Sequence, residues 1–153
     1  MNLNSITADI NFEYSVIKEI SLKTTTNEIL EDTQKSFGLD IKCSNPINIG
    51  ERKFGKLLLI LNITLNSKES SGDDNIKLVM EGLFSSESTI EDDKFLELLN
   101  VNGGAALYSI ARAKIESISS LAYDKGKLLI PMINMVQYYQ ERSKAEKGNN
   151  GQN

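Results

Sequence analysis

The chain of 153 residues has no histidine and no tryptophan, and Cys43 is its single cysteine. Without histidine it lacks the side chain that most often acts as a general base near neutral pH and that most often binds transition metals. We therefore expect no catalytic residues, no metal site and no cofactor, and we interpret the chain as a protein other than an enzyme. A single cysteine cannot form a disulfide within one chain, which is typical of a reducing, cytoplasmic location.

Long hydrophobic runs and an excess of basic charge are also absent. The longest apolar run, residues 57–61, is far shorter than the ~20 residues that a membrane-spanning helix needs. The 17 basic residues are outnumbered by 21 acidic residues, which gives a formal net charge of −4 at pH 7. Nucleic-acid binding depends on a concentrated basic face. We therefore expect neither membrane insertion nor a nucleic-acid partner.

Apolar and polar residues alternate in four segments, and this period of two predicts β-strands. The predicted strands cover residues 10–22, 37–43, 54–65 and 76–85. Apolar positions in the first strand change phase after Val16, which predicts a β-bulge at residues 17–19. Because the connections are too short for helical crossovers, we expect an antiparallel sheet of the meander type.

Helical spacing of apolar residues replaces this alternation in the second half of the chain. The predicted elements are a short helix capped by Ser88 or Thr89, a break at residues 102–104, a long helix at 105–123, an extended stretch at 128–132 and a final helix capped by Asn134. The fold class that follows is α+β: a four-stranded antiparallel β-sheet with a long and a shorter α-helix packed on one face. Residues 1–140 are predicted to form one domain, followed by a disordered polar tail at residues 141–153.

The long predicted helix carries more apolar surface than one sheet face can cover. One stripe contains Leu107, Ala111 and Ile115 at helical spacing. A second stripe contains Tyr108, Ile110, Ala113 and Leu121, together with the small residue Ala106. Because a sheet covers only one stripe, the second is expected to contact another subunit or a ligand.

The remaining polar clusters do not indicate catalysis, whereas the aromatic and methionine side chains indicate binding. The carboxylates at residues 73–74 and 91–93 are interpreted as a solvated turn and a helix N-terminus, because their surroundings are polar. Methionine and tyrosine are typical of adaptable binding surfaces. We expect about half of the aromatic and methionine residues to fill the core or a subunit interface and the rest to line a binding groove.

Four short segments, in this order and spacing, resemble the SecB family of protein-export chaperones: residues 18–22 (KEISL), 82–85 (GLFS), 107–112 (LYSIAR) and 130–134 (IPMIN). The resemblance implies an ATP-independent holdase that binds unfolded polypeptide in apolar grooves. It also implies a homotetramer, arranged as a dimer of dimers, with the second stripe of the long helix at the subunit interface. The groove residues that we predict are Phe37, Leu39, Ile41, Leu83, Phe84, Met132, Tyr138 and Tyr139.

The charges on one sheet face depart from the pattern of the family. Export chaperones of this family dock on the translocase motor SecA through acidic residues, and Glu19 matches one of these positions. Lys23 and Lys77 occupy two others, and opposite charge at a docking face costs encounter rate and specificity. The sequence therefore disfavours SecA as a partner. It leaves two clients open, a secretory precursor or the dedicated antitoxin of a toxin–antitoxin–chaperone system, and the charges favour the antitoxin slightly.

Two functions from other classes remain as alternatives to the chaperone. A small-ligand-binding protein would need convergent polar groups around a pocket between sheet and helices, and the sequence offers no such set. A purely structural assembly subunit would use the same apolar surplus for self-association alone. Suppression of client aggregation without nucleotide distinguishes a holdase from both.

Overall fold

A computed structural model describes residues 9–66 and 72–149, with side chains described as far as residue 145. These residues form five strands and three α-helices. The strands are β1 (Asn11–Lys23), β2 (Gln34–Cys43), β3 (Ile47–Ile49), β4 (Arg52–Asn66) and β5 (Asp73–Glu87). The helices are α1 (Asp92–Leu98), α2 (Gly104–Ala122) and α3 (Met135–Asn149), and a π-helical turn (Leu99–Gly103) joins α1 to α2. The α+β fold class is confirmed.

The sheet is antiparallel throughout, but its strand order differs from a meander. The order is β1-β5-β4-β2, and the short β3 pairs with β4 on the same side as β2. β2, β4 and β5 lie side by side in the order in which they occur along the chain, and β1 lies on the far side of β5. This is a Greek-key arrangement. The predicted meander is wrong because the ten-residue connection at 24–33 is long enough to carry the chain past the ends of β5 and β4.

The predicted β-bulge in the first strand is confirmed. The register of β1 against β5 shifts between Ile17 and Glu19, and it shifts again between Phe12 and Tyr14. Each shift inserts one extra residue and returns the alternation to the opposite phase. Ile17 and Ile20 consequently point to the same side of the sheet although they are an odd number of positions apart, because they pair with Met80 and Leu78.

The helical segment after β5 continues without a break where the sequence predicts one. The cap of α1 is Glu91, not Ser88 or Thr89, and the chain passes through the π-helical turn directly into α2. Gly103 does not interrupt the helix; it lets the helix approach the sheet. A Cβ at Gly103 would lie 3.1 Å from the Leu57 side chain, so a larger residue would push the turn away from β4.

The hydrophobic core lies between one face of the sheet and the helical layer. Alternate residues of β4 and β5 face this layer and are almost completely buried, including Leu57, Leu59, Leu61, Ile76 and Leu78. From the helical layer the core receives Phe95, Leu99, Leu107, Ala111 and Ile115. The first predicted stripe of the long helix therefore packs on the sheet, and each such Leu or Ile contributes about 1.5–3 kcal/mol through burial.

A cluster of polar side chains lies at one end of the core, beside the C-terminal end of β4. The Asp74 carboxylate is buried and accepts hydrogen bonds from the Thr25 hydroxyl (2.8 Å), the Thr26 hydroxyl (3.2 Å) and the Tyr123 hydroxyl (2.8 Å), as well as from the Thr25 amide. Burial alone would raise the pKa of Asp74, but these hydrogen bonds leave it below its usual value. The cluster ties the crossing connection at 24–33 to β5 and to the end of α2.

The chain from α2 to α3 is extended, as predicted, and is held by side chains of α2. Arg112 Nε donates to the Ile130 carbonyl (2.9 Å), and the Tyr108 hydroxyl donates to the Pro131 carbonyl (2.7 Å). The predicted cap is confirmed, since Asn134 Oδ1 accepts from the amides of the two residues that follow Met135. α3 then continues to Asn149 where the sequence predicts a disordered tail from residue 141; residues 150–153 lie outside the described residues.

Candidate functional site

A groove runs along α3, between that helix and the layer formed by β2, α1 and the π-helical turn. Two hollows open into it, of about 330 Å³ and about 270 Å³. The Tyr139 side chain lines both hollows and so stands between them. We call this feature the α3 groove and treat it as the candidate site, because it unites residues from both halves of the chain.

The two hollows of the α3 groove differ in their walls. The larger is lined by residues of β2, the loop after it, α1, the π-helical turn and α3: Ile41, Cys43, Ser44, Asn45, Leu96, Asn100, Tyr139, Arg142 and Ser143. The smaller lies between α1, the π-helical turn and α3 and is lined by Lys94, Glu97, Leu98, Val101, Asn102, Val136, Tyr139 and Gln140. Both walls combine apolar side chains with uncharged polar groups and a few charges at the rim.

β2 supplies an apolar row beside the α3 groove. Phe37, Leu39 and Ile41 pair with Ile63, Leu61 and Leu59, whose side chains face the helical layer, so the three residues share that face as predicted. Ile41 is only 2% exposed, whereas Phe37 and Leu39 are half-buried. The row is therefore accessible at the start of the strand and becomes part of the core at Ile41.

The free edge of β2 is covered by two side chains of α3. The Tyr138 hydroxyl accepts a hydrogen bond from the Ile41 amide (3.2 Å) and lies 3.5 Å from the Leu39 carbonyl, to which it donates. One helical turn later, Arg142 donates to the Ile41 carbonyl and, at 3.0 Å, to an oxygen of Asp40. Because successive strand residues face opposite sides, the Arg142 guanidinium reaches around the edge to the far face of the sheet.

Three of the predicted groove residues lie apart from the α3 groove. Leu83 points to the sheet face away from the helices, where it pairs with Tyr14 of β1. Phe84 points to the helical side but is enclosed in the core, with the Phe12 ring at 5.4 Å in an edge-to-face contact. Met132 lies in the extended segment before α3 and is 82% exposed. The structure therefore groups Phe37, Leu39, Ile41, Tyr138 and Tyr139 but not the other three.

The residues predicted to dock a partner lie together on the outer face of the sheet, which points away from the helices. Glu19 and Lys23 of β1 share that face with Lys77 of β5. Lys77 Nζ lies 2.9 Å from a Glu19 oxygen, so the cation neutralises the acidic residue beside it. Lys56 forms a second cross-strand pair on this face, with Glu81 at 3.5 Å. The face therefore presents ion pairs and not an acidic surface.

The second stripe of α2 divides between buried and exposed positions. Tyr108 is buried in its own chain, where burial also raises its pKa while the nearby Arg112 charge opposes the shift. Ile110 is half-buried, Ala113 is exposed and Leu121 is 89% exposed. Three of the four predicted interface residues are therefore accessible to a second chain, and Tyr108 instead positions the extended segment.

The α3 groove contains no arrangement typical of catalysis. Cys43 Sγ lies 2.9 Å from Asn100 Oδ1, a contact between two polar side chains in the larger hollow. Within residues 9–66 and 72–149, no three His, Cys, Asp or Glu side chains are arranged to hold a metal ion. The shifted pKa values of Asp74 and Tyr123 belong to the polar cluster at the opposite end of β4. None of the described helices is long and apolar enough to cross a membrane.

Sequence reasoning missed the contribution of Arg142, Leu96 and Asn100 to the α3 groove. The signal for Arg142 is its spacing of four residues from Tyr138, which places both on one face of a helix. Leu96 and Asn100 show the same spacing, and Asn100 Nδ2 donates to the Leu96 carbonyl at 2.8 Å. The Tyr138–Arg142 spacing was overlooked because the sequence predicts a disordered tail from residue 141. The Leu96–Asn100 spacing was overlooked because the sequence predicts that the short helix ends there.

No protein-family model matches the sequence, and none of the curated proteins matches it. Among solved structures, the chain is similar to the SecB-like chaperone Rv1957 of Mycobacterium tuberculosis, solved in complex with a ChAD peptide from the HigA1 antitoxin. The TM-score is 0.59 at 7% sequence identity, and the alignment covers 82% of this chain and 91% of that one. At this identity the similarity concerns the fold, which is SecB-like.

Proposed function

We propose that the chain is an ATP-independent chaperone that holds non-native polypeptide in the α3 groove. The observation that carries the proposal is an accessible apolar row on an edge strand, Phe37 and Leu39, that continues into a groove lined by Tyr139. Unfolded chains present apolar side chains together with unpaired backbone groups. An edge strand next to a groove that carries apolar side chains among polar ones can bind both.

The shape of the groove favours a polypeptide over a small ligand. A small-molecule site is usually one enclosed pocket with a few convergent polar groups. Here two open hollows of about 330 and 270 Å³ lie in succession on either side of Tyr139. An extended chain can span both. The similarity in fold to a chaperone solved with an antitoxin peptide supports the same choice.

Suppression of aggregation tests the proposal. A chemically unfolded, slow-folding client is diluted into buffer with the protein and without nucleotide, and light scattering is followed. We expect Tyr139→Ser to reduce suppression, because Tyr139 lines both hollows. Tyr14→Ser is the matched control, since Tyr14 is 45% exposed on the outer face of the sheet. No suppression by the unaltered protein would refute the holdase function and leave ligand binding or structural assembly.

We propose that the client is a dedicated polypeptide, such as an antitoxin, and not the secretory precursors that are delivered to SecA. The support is the pairing of Glu19 with Lys77 on the outer face of the sheet, which removes the acidic surface that a basic docking partner would need. Titration of the C-terminal domain of SecA tests this. We expect no tight binding to the unaltered chain and stronger binding after Lys23→Glu with Lys77→Glu. Tight binding without these changes would reverse the choice.

For the assembly, we propose a homotetramer that uses the exposed part of the second stripe of α2. Leu121 and Ala113 are exposed there and Ile110 is half-buried, which is more apolar surface than a solvated helix face usually carries. Leu121→Lys places a charge in the interface and is expected to dissociate the tetramer, which lowers the molecular mass measured by analytical ultracentrifugation. Leu129→Lys is the control, at another exposed leucine outside the stripe. A tetramer of unchanged stability after Leu121→Lys would exclude this stripe from the interface.

A further inference from the structure

At the free edge of β2, backbone N–H and C=O groups form hydrogen bonds with side chains, where a neighbouring strand would normally supply the partners. The Leu39 carbonyl and both polar groups of the Ile41 backbone point away from β4, and they meet Tyr138 and Arg142 of α3. The next groups along the strand point the other way, as shown by the bond from the Ser44 amide to the Lys56 carbonyl. Two α3 side chains therefore occupy the place of a strand.

The two Tyr138 hydrogen bonds and the Arg142–Asp40 ion pair are weak enough to be exchanged, whereas the bond from Arg142 to the Ile41 carbonyl is charge-assisted and is the main contact that a client must displace. The Tyr138 hydroxyl lies 3.2 Å from the Ile41 nitrogen and 3.5 Å from the Leu39 oxygen, at or beyond the ordinary range of such bonds. The Arg142–Asp40 pair is partly exposed on both sides, and ion pairs of that kind contribute little. A strand that formed regular backbone hydrogen bonds would replace them with better geometry.

We propose that an extended polypeptide adds as a strand to the free edge of β2, and that Tyr138 and Arg142 hold this edge closed until it arrives. The inference rests on the proposed polypeptide-binding function and names how the client is recognised and how the site is covered. The end of α3 must give up its contacts with Leu39 and Ile41 before the added strand can pair there. The affinity for client is therefore reduced by the fraction of molecules in which the edge is covered.

The geometry of β2 also defines the client. Residues directly opposite one another in a sheet share a face, so client residues beside Phe37, Leu39 and Ile41 point into the helical side. The intervening client residues lie beside Gly38 and Asp40 on the outer face. The preferred client segment is therefore extended, with apolar side chains at every second position and polar side chains between them. Its register is fixed because a slip of one residue would turn every apolar side chain outward.

Backbone methylation of a probe peptide tests strand addition. The probe is a nine-residue peptide with valine at every second position and threonine or lysine between. One version is N-methylated at the valines and the other at the intervening residues. In an added strand only one of these sets donates to β2, so we expect one version to bind more than about ten-fold more weakly and the other to bind like the unmethylated probe. Equal loss or no loss in both versions would overturn strand addition.

Substitutions in α3 test the covering role. Tyr138→Phe removes one hydroxyl from the edge and is expected to tighten probe binding about three- to ten-fold, the effect of losing one hydrogen bond that competes with the client. Tyr14→Phe is the matched control, at an exposed tyrosine on the outer face of the sheet. Arg142→Gln is expected to act in the same direction, with Lys144→Gln as the control for loss of a positive charge. Unchanged or weaker binding by Tyr138→Phe and Arg142→Gln would overturn the covering role.

The outcomes separate this inference from the function on which it rests. A protein that suppresses client aggregation but binds both methylated probes equally is a holdase without strand addition. A protein that neither suppresses aggregation nor binds the probe is not a polypeptide chaperone, and both proposals are then refuted. Thermal unfolding of each variant shows whether a change in binding arises from the edge or from loss of the fold.

Discussion

Gly55 on β4 is expected to be a position where a single methyl group destabilises the fold. Gly55 faces the helical layer, and a Cβ there would lie 2.6 Å from Cε1 of Phe95 and 2.9 Å from Cδ2 of Leu99. Both neighbours are fully buried, so neither can turn into solvent to make room. Gly55→Ala must therefore move α1 and the π-helical turn away from the sheet or strain their side chains.

The magnitude follows from two opposing effects. Overpacking of a core by one methyl group costs about 1–3 kcal/mol. Replacing glycine with alanine also lowers the entropy of the unfolded chain, which stabilises by about 0.4–1 kcal/mol. We expect a net loss of about 1–2 kcal/mol in the free energy of unfolding. For a chain of this size each kcal/mol shifts Tm by about 2–4 °C.

Equilibrium unfolding in urea, with Tm from circular dichroism, measures the effect. Gly38→Ala is the matched control, because a Cβ at Gly38 on β2 would come no closer than 3.8 Å to the nearest atoms of Asn62. That variant is expected to be neutral or slightly stabilising. Because Leu96 and Asn100 line the α3 groove from the displaced segment, Gly55→Ala is also expected to weaken client binding. Stability of Gly55→Ala equal to that of Gly38→Ala would refute the close packing of α1 on β4.

Two further predictions concern the end of the core away from the α3 groove. The hydrogen-bonded Asp74 has a lowered pKa, so its stabilising effect is complete above the unfolded value of about 3.9 and is lost as the pH falls through the folded value. Asp74→Asn is therefore expected to lower the urea midpoint at pH 7 and to reduce its fall below pH 4, whereas an unchanged pH profile would contradict this role. Gly126 has φ of 82° and a Cβ there would lie 2.8 Å from the Ile29 carbonyl oxygen. Gly126→Ala is expected to lose more than about 1 kcal/mol in urea unfolding, and full stability would contradict the strained geometry.

The individual strands could be predicted from the sequence, but their order could not. Alternation along β4 and the phase change in β1 reflect which side chains face the core, and that information is local. The position of β1 depends instead on the path of residues 24–33. Thr25 binds the buried Asp74 from a distance of 49 residues, and such a contact leaves no periodic signal in the chain.

The helical half shows why glycine and polar composition were misleading. Gly103 reads as a helix breaker in sequence, but in the fold it admits the Leu57 side chain and the helix continues. Residues 141–149 contain one apolar residue, Ala145, yet six of the nine are good helix formers: two glutamates, two lysines, one arginine and that alanine. What orders this segment is tertiary: Arg142 binds Asp40 and the Ile41 carbonyl about one hundred residues earlier in the chain.

We expect partner specificity to depend on the β2 edge, which Arg142 covers, and not on the outer face of the sheet. On the outer face Glu19 is paired with Lys77, Glu81 with Lys56, and Glu13 with Arg52. Three mutually neutralised pairs give little long-range attraction for a basic partner. Specificity must then come from short-range contacts, and the β2 edge offers these because its backbone groups have fixed directions. A client that displaces Tyr138 and Arg142 leaves Asp40 paired with Lys42, whose Nζ lies 3.6 Å from the second carboxylate oxygen. A basic residue beside Asp40 on an added strand would replace the lost Arg142 pair, which other clients cannot do.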